Sequence, residues 1–211
     1  MTTTEKFPAT RQARLELGPD MVRFPASFEE YWELLEVCDY PIEYHDHQII
    51  ATSYEHDPHA RIASMMFALL SNVFMENDDY VVFNPNRPVY IPATSDVFNP
   101  DVSVILEPAQ KFVYRPGMDA EMTAVMVVEV LSKTTREHDS NNKLFAYKKI
   151  ETIRQIIYIE SQIPYVTVYT KIEQTGKWEN VVYDEPDASF EVFGTTFSLR
   201  QLYKKTNLAK G

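Results

Sequence analysis

The run "TAVMVVEVL", residues 123–131, places the tightest constraint on this chain, because one carboxylate, Glu129, stands inside an apolar strand. Burying a charge without a partner costs several kcal/mol. A fold that keeps this strand inside must bring a partner to Glu129, and the identity of that partner decides whether the residue does chemistry.

The rest of the chain supplies elements to build around it. "SFEEYWELLE" predicts a helix: Ser27 and Glu30 form a capping box, and Phe28, Tyr31, Leu34 and Leu35 keep helical spacing. "IEYHDHQIIATS" alternates and is β-branched, which predicts a strand or hairpin. In "DPHARIASMMFALLSNVFMEN", Asp57 can cap and Pro58 fits the first helical position. Ile62, Met65, Met66, Leu69, Leu70 and Val73 then form one stripe, read as core. "YVVF", "PVYIP", "DVSVIL", "RQIIYIE", "YVTVYT" and "WENVVY" predict further strands, and "SLRQLY" a short closing helix. "EPAQKFVYRPGMDAEM" reads as a loop or small excursion. "DSNNKLFAYKKI" predicts a helix capped by Asp139 or Ser140. Helices alternating with groups of strands point to an α/β fold with a mixed sheet.

With 211 residues, 45% of them hydrophobic, the chain suits one globular domain. No apolar run approaches the ~18–20 residues of a membrane helix, so no membrane association is expected. The first twenty residues lack the apolar segment of a secretory signal and read as a mobile arm. A single cysteine, Cys38, excludes an internal disulfide, and a cytoplasmic protein is expected. The formal charge of −11 disfavours a general nucleic-acid binder, which needs a basic stripe for the phosphates. A nucleic-acid role would need a local basic patch or divalent cations.

In "NPDVSVI", Asp101 opens an apolar strand, 28 positions before Glu129. If the two strands are neighbours, their carboxylates converge at one edge of the sheet. Their repulsion would then be relieved by a cation, with Mg²⁺ the natural one because it takes few carboxylates and keeps its waters. Two independent caps or ion pairs are the competing reading. Asp139, Lys143 and Tyr147 follow at helical i, i+4 and i+8 positions. Asp139 and Lys143 are either a surface ion pair or part of a stripe that turns Lys143 back toward Glu129.

"NPDVSVI", "VVEVLSKTTREHDSNNKLFAYKKI" and "IRQIIYIE", in that order, resemble the Uma-type endonucleases. That bacterial family of unknown function is placed in the PD-(D/E)XK nuclease superfamily. The likeness covers most of the chain. It extends to "IEYHDHQII", "DPHARIASMMFALL" and "YVTVYTKIEQTGKWE". It implies a restriction-endonuclease-like core, a mixed β-sheet flanked by helices with a C-terminal β-hairpin extension. Residues 1–22 would be a flexible arm, 23–205 the nuclease-like domain and 206–211 a tail. Asp101 and Glu129 would hold Mg²⁺ or Mn²⁺, with the Val130 carbonyl as third ligand. The lysine usual two places after the glutamate is here Leu131, so Lys143 would supply the basic group, with Lys133 the alternative. Glu43, His59, Asp139 and Tyr147 would be auxiliary. Glu43 is also readable as a solvated strand residue, and Tyr147 as packing.

The implied reaction is metal-assisted hydrolysis of a nucleic-acid phosphodiester, with DNA the expected substrate and a homodimer suited to cutting two strands. A different class of function remains open: a catalytically inactive module of the same fold that binds a basic partner through its acidic surface. His45, His47, His56 and His59 cluster in sequence, with His45 and His47 expected on one strand face. Such a cluster could chelate a transition metal, although a polar strand–helix junction explains it as well.

Overall fold

A computed structural model describes residues 7–52, 57–132, 136, 138–185 and 187–210. The run that holds Glu129 becomes strand β10 (Ala124–Leu131), buried along its whole length. It is central in a six-stranded mixed sheet of order β13-β12-β11-β10-β7-β4. The partners are β4 (Tyr80–Phe83), β7 (Val102–Leu106), β11 (Gln155–Glu160), β12 (Val166–Lys171) and β13 (Trp178–Tyr183). Strand β10 runs parallel to β11 and antiparallel to β7.

Alternation along β10 assigns its two faces. Met126, Val128 and Val130 join the core under helix α3 (Asp57–Phe74), whose Ile62, Met66 and Leu70 are buried against them. Val127 and Leu131 point the other way, into a second cluster with Tyr147, Ile150 and Phe98. Glu129 shares that second face by parity. The chain between β10 and β11 crosses over it as a π-helical turn (His138–Lys143) that continues into a short helix α4 (Leu144–Tyr147). A wide turn of this kind departs from the regular helix that the sequence predicts. Such turns are frequent at functional sites.

A second sheet of seven strands, order β1-β3-β2-β6-β5-β9-β8, adjoins this face. Its members are β1 (Val22–Pro25), β2 (Glu43–His45), β3 (Gln48–Ala51), β5 (Val89–Ile91), β6 (Asp96–Phe98), β8 (Lys111–Arg115) and β9 (Met118–Glu121). The segment expected to be a loop or small excursion is the β8–β9 hairpin, with Gly117 at φ 84 in its turn. Helix α2 (Phe28–Val37) starts at the predicted capping box and packs Tyr31 and Trp32 into an aromatic core with Tyr44 and Ile49. The N-terminal segment differs from a free arm. Phe7 is buried, α1 (Arg11–Glu16) is capped by Thr10, and β1 pairs with β3. Beyond β13, a hairpin of β14 (Ser189–Val192) and β15 (Thr195–Ser198) and the helix α5 (Leu199–Leu202) pack on the α3 side.

Candidate active site

Strands β7 and β10 are neighbours, with Val102 opposite Val128, so Asp101 stands beside the end of β10. Its Oδ2 accepts a hydrogen bond from the Val130 N–H at 2.6 Å and lies 3.3 Å from His59 Nε2 on α3. Asp101, His59, Glu129 and Val130 line one cavity of about 570 Å³ together with Glu43, Asp139 and Lys143. The two sheets meet there.

Lys143 is the hub of this cavity. Its Nζ lies 2.8 Å from Glu43 Oε1, 3.1 Å from Asp139 Oδ1 and 3.2 Å from Glu129 Oε1. The ammonium also stands 5.6 Å from the centre of the Phe98 ring. Tyr147, one helical turn on, donates its hydroxyl to Glu129 Oε1 at 2.5 Å. The turn is anchored from β11, where Tyr158 donates to the Asp139 carbonyl at 2.6 Å. Asp139 is therefore an ion-pair partner rather than a helix cap, and Lys143 faces inward rather than into solvent.

The carboxylates respond differently to the same ammonium. Burial pushes Glu129 well above the usual carboxylate range. Lys143 opposes that rise, while Asp139, Asp101 and Glu43 add to it. Burial also works against ionised Glu43, but Lys143 and His138 outweigh it and hold Glu43 at about 2. Burial likewise disfavours the Lys143 cation, yet Asp139, Glu129 and Glu43 raise it well above the ordinary lysine value. The Tyr147 phenol is raised by burial and then by Glu129, so its hydroxyl stays a donor.

The residues fit a hard divalent cation by donor chemistry. Carboxylates of Asp101, Glu129, Glu43 and Asp139 face one cavity, with the Lys143 ammonium among three of them. Glu43 Oε2 is buried, with His138 Nε2 3.5 Å away and no closer hydrogen bond among the described residues. Oxygen donors of this class suit Mg²⁺ or Mn²⁺. Among the described residues no three His, Cys, Asp or Glu side chains are already gathered around one point, so water or substrate would complete the shell.

Residues 28–200 match the Uma2 family, whose description reads "Putative restriction endonuclease". The chain belongs to the Uma2 family. A relative from Synechocystis sp., described as an uncharacterized protein, is 25% identical over 177 residues, 83% of this chain and 90% of its own length. A crystal structure from Anabaena variabilis, described as a "putative nuclease belonging to DUF820", superposes with a TM-score of 0.66 at 19% identity. That match covers 85% of this chain and 98% of that one. The fold is a restriction-endonuclease-like core, a mixed sheet flanked by helices.

In this Uma2 chain the residue two places after Glu129 is Leu131. It is buried in the apolar cluster with Tyr147 and Val127. Lys133 and His56 lie outside the described residues. The histidines divide. His59 reaches Asp101, and His45 Nδ1 lies 2.9 Å from Asp96 Oδ1. His47 falls in the exposed β2–β3 turn with Asp46, both at positive φ, so it does not share a strand face with His45.

Two site residues escaped the sequence reading. Asn99 donates its N–H to Glu43 Oε1 and its side-chain amide to the Ile42 carbonyl, both at 2.9 Å, locking Glu43 to the "NPD" turn. His138 sits 3.5 Å from Glu43 Oε2 through Nε2, while Arg23 donates to its Nδ1 at 3.1 Å. An arginine can only donate, so Nδ1 is the acceptor and Nε2 is the ring nitrogen left to donate toward Glu43. The only local signal was adjacency to Asn-Pro-Asp and to Asp139.

Proposed function

We propose that this Uma2 chain is a Mg²⁺- or Mn²⁺-dependent endonuclease that hydrolyses nucleic-acid phosphodiesters, DNA first among them. The supporting observation is the convergence of Asp101, Glu129 and Lys143, from a strand start, a strand interior and a crossover turn, on one cavity. The family description points to the same class of chemistry.

Asp101, Glu129 and the Val130 carbonyl would hold the cation, which would polarise the phosphate and lower the pKa of water when bound. Lys143 keeps its proton and so offers fixed positive charge where phosphoryl oxygens gain negative charge. Tyr147 and Lys143 both hold Glu129 Oε1, which fixes that carboxylate on the cavity it shares with Asp101. His59 restrains Asp101 from the helix side. Glu43 balances Lys143 and fixes its ammonium in place. The test is cleavage of end-labelled DNA by the Mn²⁺-loaded protein: loss of cleavage in Asp101→Ala is expected, and equal cleavage by that variant contradicts the assignment.

A further inference from the structure

One wall of the cavity is built from the N-terminal segment, through Arg11, Arg14, Leu15 and Gly18, and Asn86 belongs to the same lining. Arg14 makes this wall a fixed part of the fold. It is 5% exposed, and its guanidinium donates to the carbonyls of Thr52 at 3.0 Å, Gly18 at 2.9 Å and Asp20 at 2.6 Å. Arg11 is exposed on the same wall and uses its Nε to bind the Asp39 carbonyl at 3.2 Å. Among the described cationic side chains of the cavity lining, Arg11 is the exposed one, while Arg14, His59 and Lys143 are buried.

The groups that would do chemistry are hard to reach. Glu129 and Lys143 are each 3% exposed, and Asp101 is 7% exposed. The cavity, about 570 Å³, falls in the range of roughly 300–1,000 Å³ common for small-ligand sites. A scissile phosphate has to descend into it. Base pairing and stacking hold the phosphates of a continuous duplex on its outer surface. An unpaired strand is free of that constraint, and its backbone can follow a groove inward. A chain of formal charge −11 is also poorly furnished to track a long duplex backbone.

We propose that the cavity admits an unpaired strand, a free end or a single-stranded segment, and excludes continuous duplex, with Arg11 contacting a phosphate beside the scissile one. The proposal rests on the nuclease reading above and narrows its substrate.

The experiment uses the full chain with Mn²⁺ on end-labelled DNA and RNA in three forms: single strand, blunt duplex of the same sequence, and duplex with a single-stranded tail. Single strands and tails should be cut while duplex interiors stay intact. Arg11→Ala should raise KM for the single strand by roughly tenfold with kcat little changed, the loss of one charge-assisted contact. Cutting of duplex interiors as fast as single strands overturns the proposal and leaves the nuclease reading standing. An unchanged KM in Arg11→Ala overturns the phosphate contact. No cleavage of any form overturns the nuclease reading and this inference with it.

Discussion

Lys143 Nζ lies 3.2 Å from Glu129 Oε1, so the crossover after β10 returns a cation to the carboxylate embedded in that strand. The same ammonium sits closer, at 2.8 Å, to Glu43 on the other sheet. Lys143 therefore joins the two sheets as well as furnishing the site.

Removing that ammonium should be costly. Lys143→Met leaves Glu43, Glu129 and Asp139 facing one another in a buried setting, and a loss of roughly 3–5 kcal/mol is expected from breaking a buried pair. Urea unfolding of metal-free protein measures it. A loss below about 1 kcal/mol, the scale of an exposed pair, would contradict the hub role.

Stability should depend on pH in opposite senses at the two glutamates. The folded pKa of Glu43 is depressed to about 2 from 4.5, so its contribution is present above 4.5 and fades as pH falls toward 2. That of Glu129 is raised, so the folded state pays an increasing cost as pH rises from its unfolded value toward its folded one. Glu129→Gln removes that cost. In EDTA, the variant should gain stability relative to wild type as pH rises above the ordinary carboxylate range. A difference that is flat with pH contradicts the raised carboxyl.

The sequence made part of this visible for definite reasons. An apolar strand with one charge demands a partner, and the i, i+4, i+8 placement of Asp139, Lys143 and Tyr147 offers one because helical geometry is local. The β7–β10 pairing that joins Asp101 to Val130 was only a condition in the sequence, and the fold meets it although the β8–β9 hairpin intervenes in the chain. Glu43 was harder, since its place depends on how a second sheet docks, which no local pattern encodes. Asn99 and His138 matter through single long-range bonds to Glu43. The β8–β9 hairpin hid behind turn residues, and the N-terminal segment behind its polar composition. Arg14 orders that segment by binding backbone carbonyls, an interaction without a sequence signature.

Divalent cations should stabilise the folded chain. Mg²⁺ or Mn²⁺ at a hundred times its Kd contributes about 2.7 kcal/mol to a protein that binds it only when folded. The rise in Tm should disappear in Asp101→Ala and Glu129→Ala. It should grow with pH in wild type, because the cation competes with a proton on Glu129. Equal shifts in wild type and both variants would remove the metal site.

Tyr147→Phe should cost about 1–3 kcal/mol by withdrawing a buried donor from Glu129. Tyr147 is fully buried and its ring is kept by the substitution, so packing is preserved. Differential scanning calorimetry of the variant reports the loss. A Tm equal to wild type would show that the hydroxyl does not hold the carboxylate.

On the proposed function, Asp101, Glu129 and Lys143 form one metal-assisted hydrolytic site. Single-turnover cleavage of end-labelled single-stranded DNA in Mn²⁺ tests it most directly, with wild type beside Asp101→Ala, Lys143→Ala and an EDTA control. Cleavage by wild type alone, abolished by EDTA and by either substitution in protein shown to be folded, is the predicted result. Absence of wild-type cleavage, or cleavage that survives Asp101→Ala, would contradict it and favour a non-catalytic module that binds a basic partner.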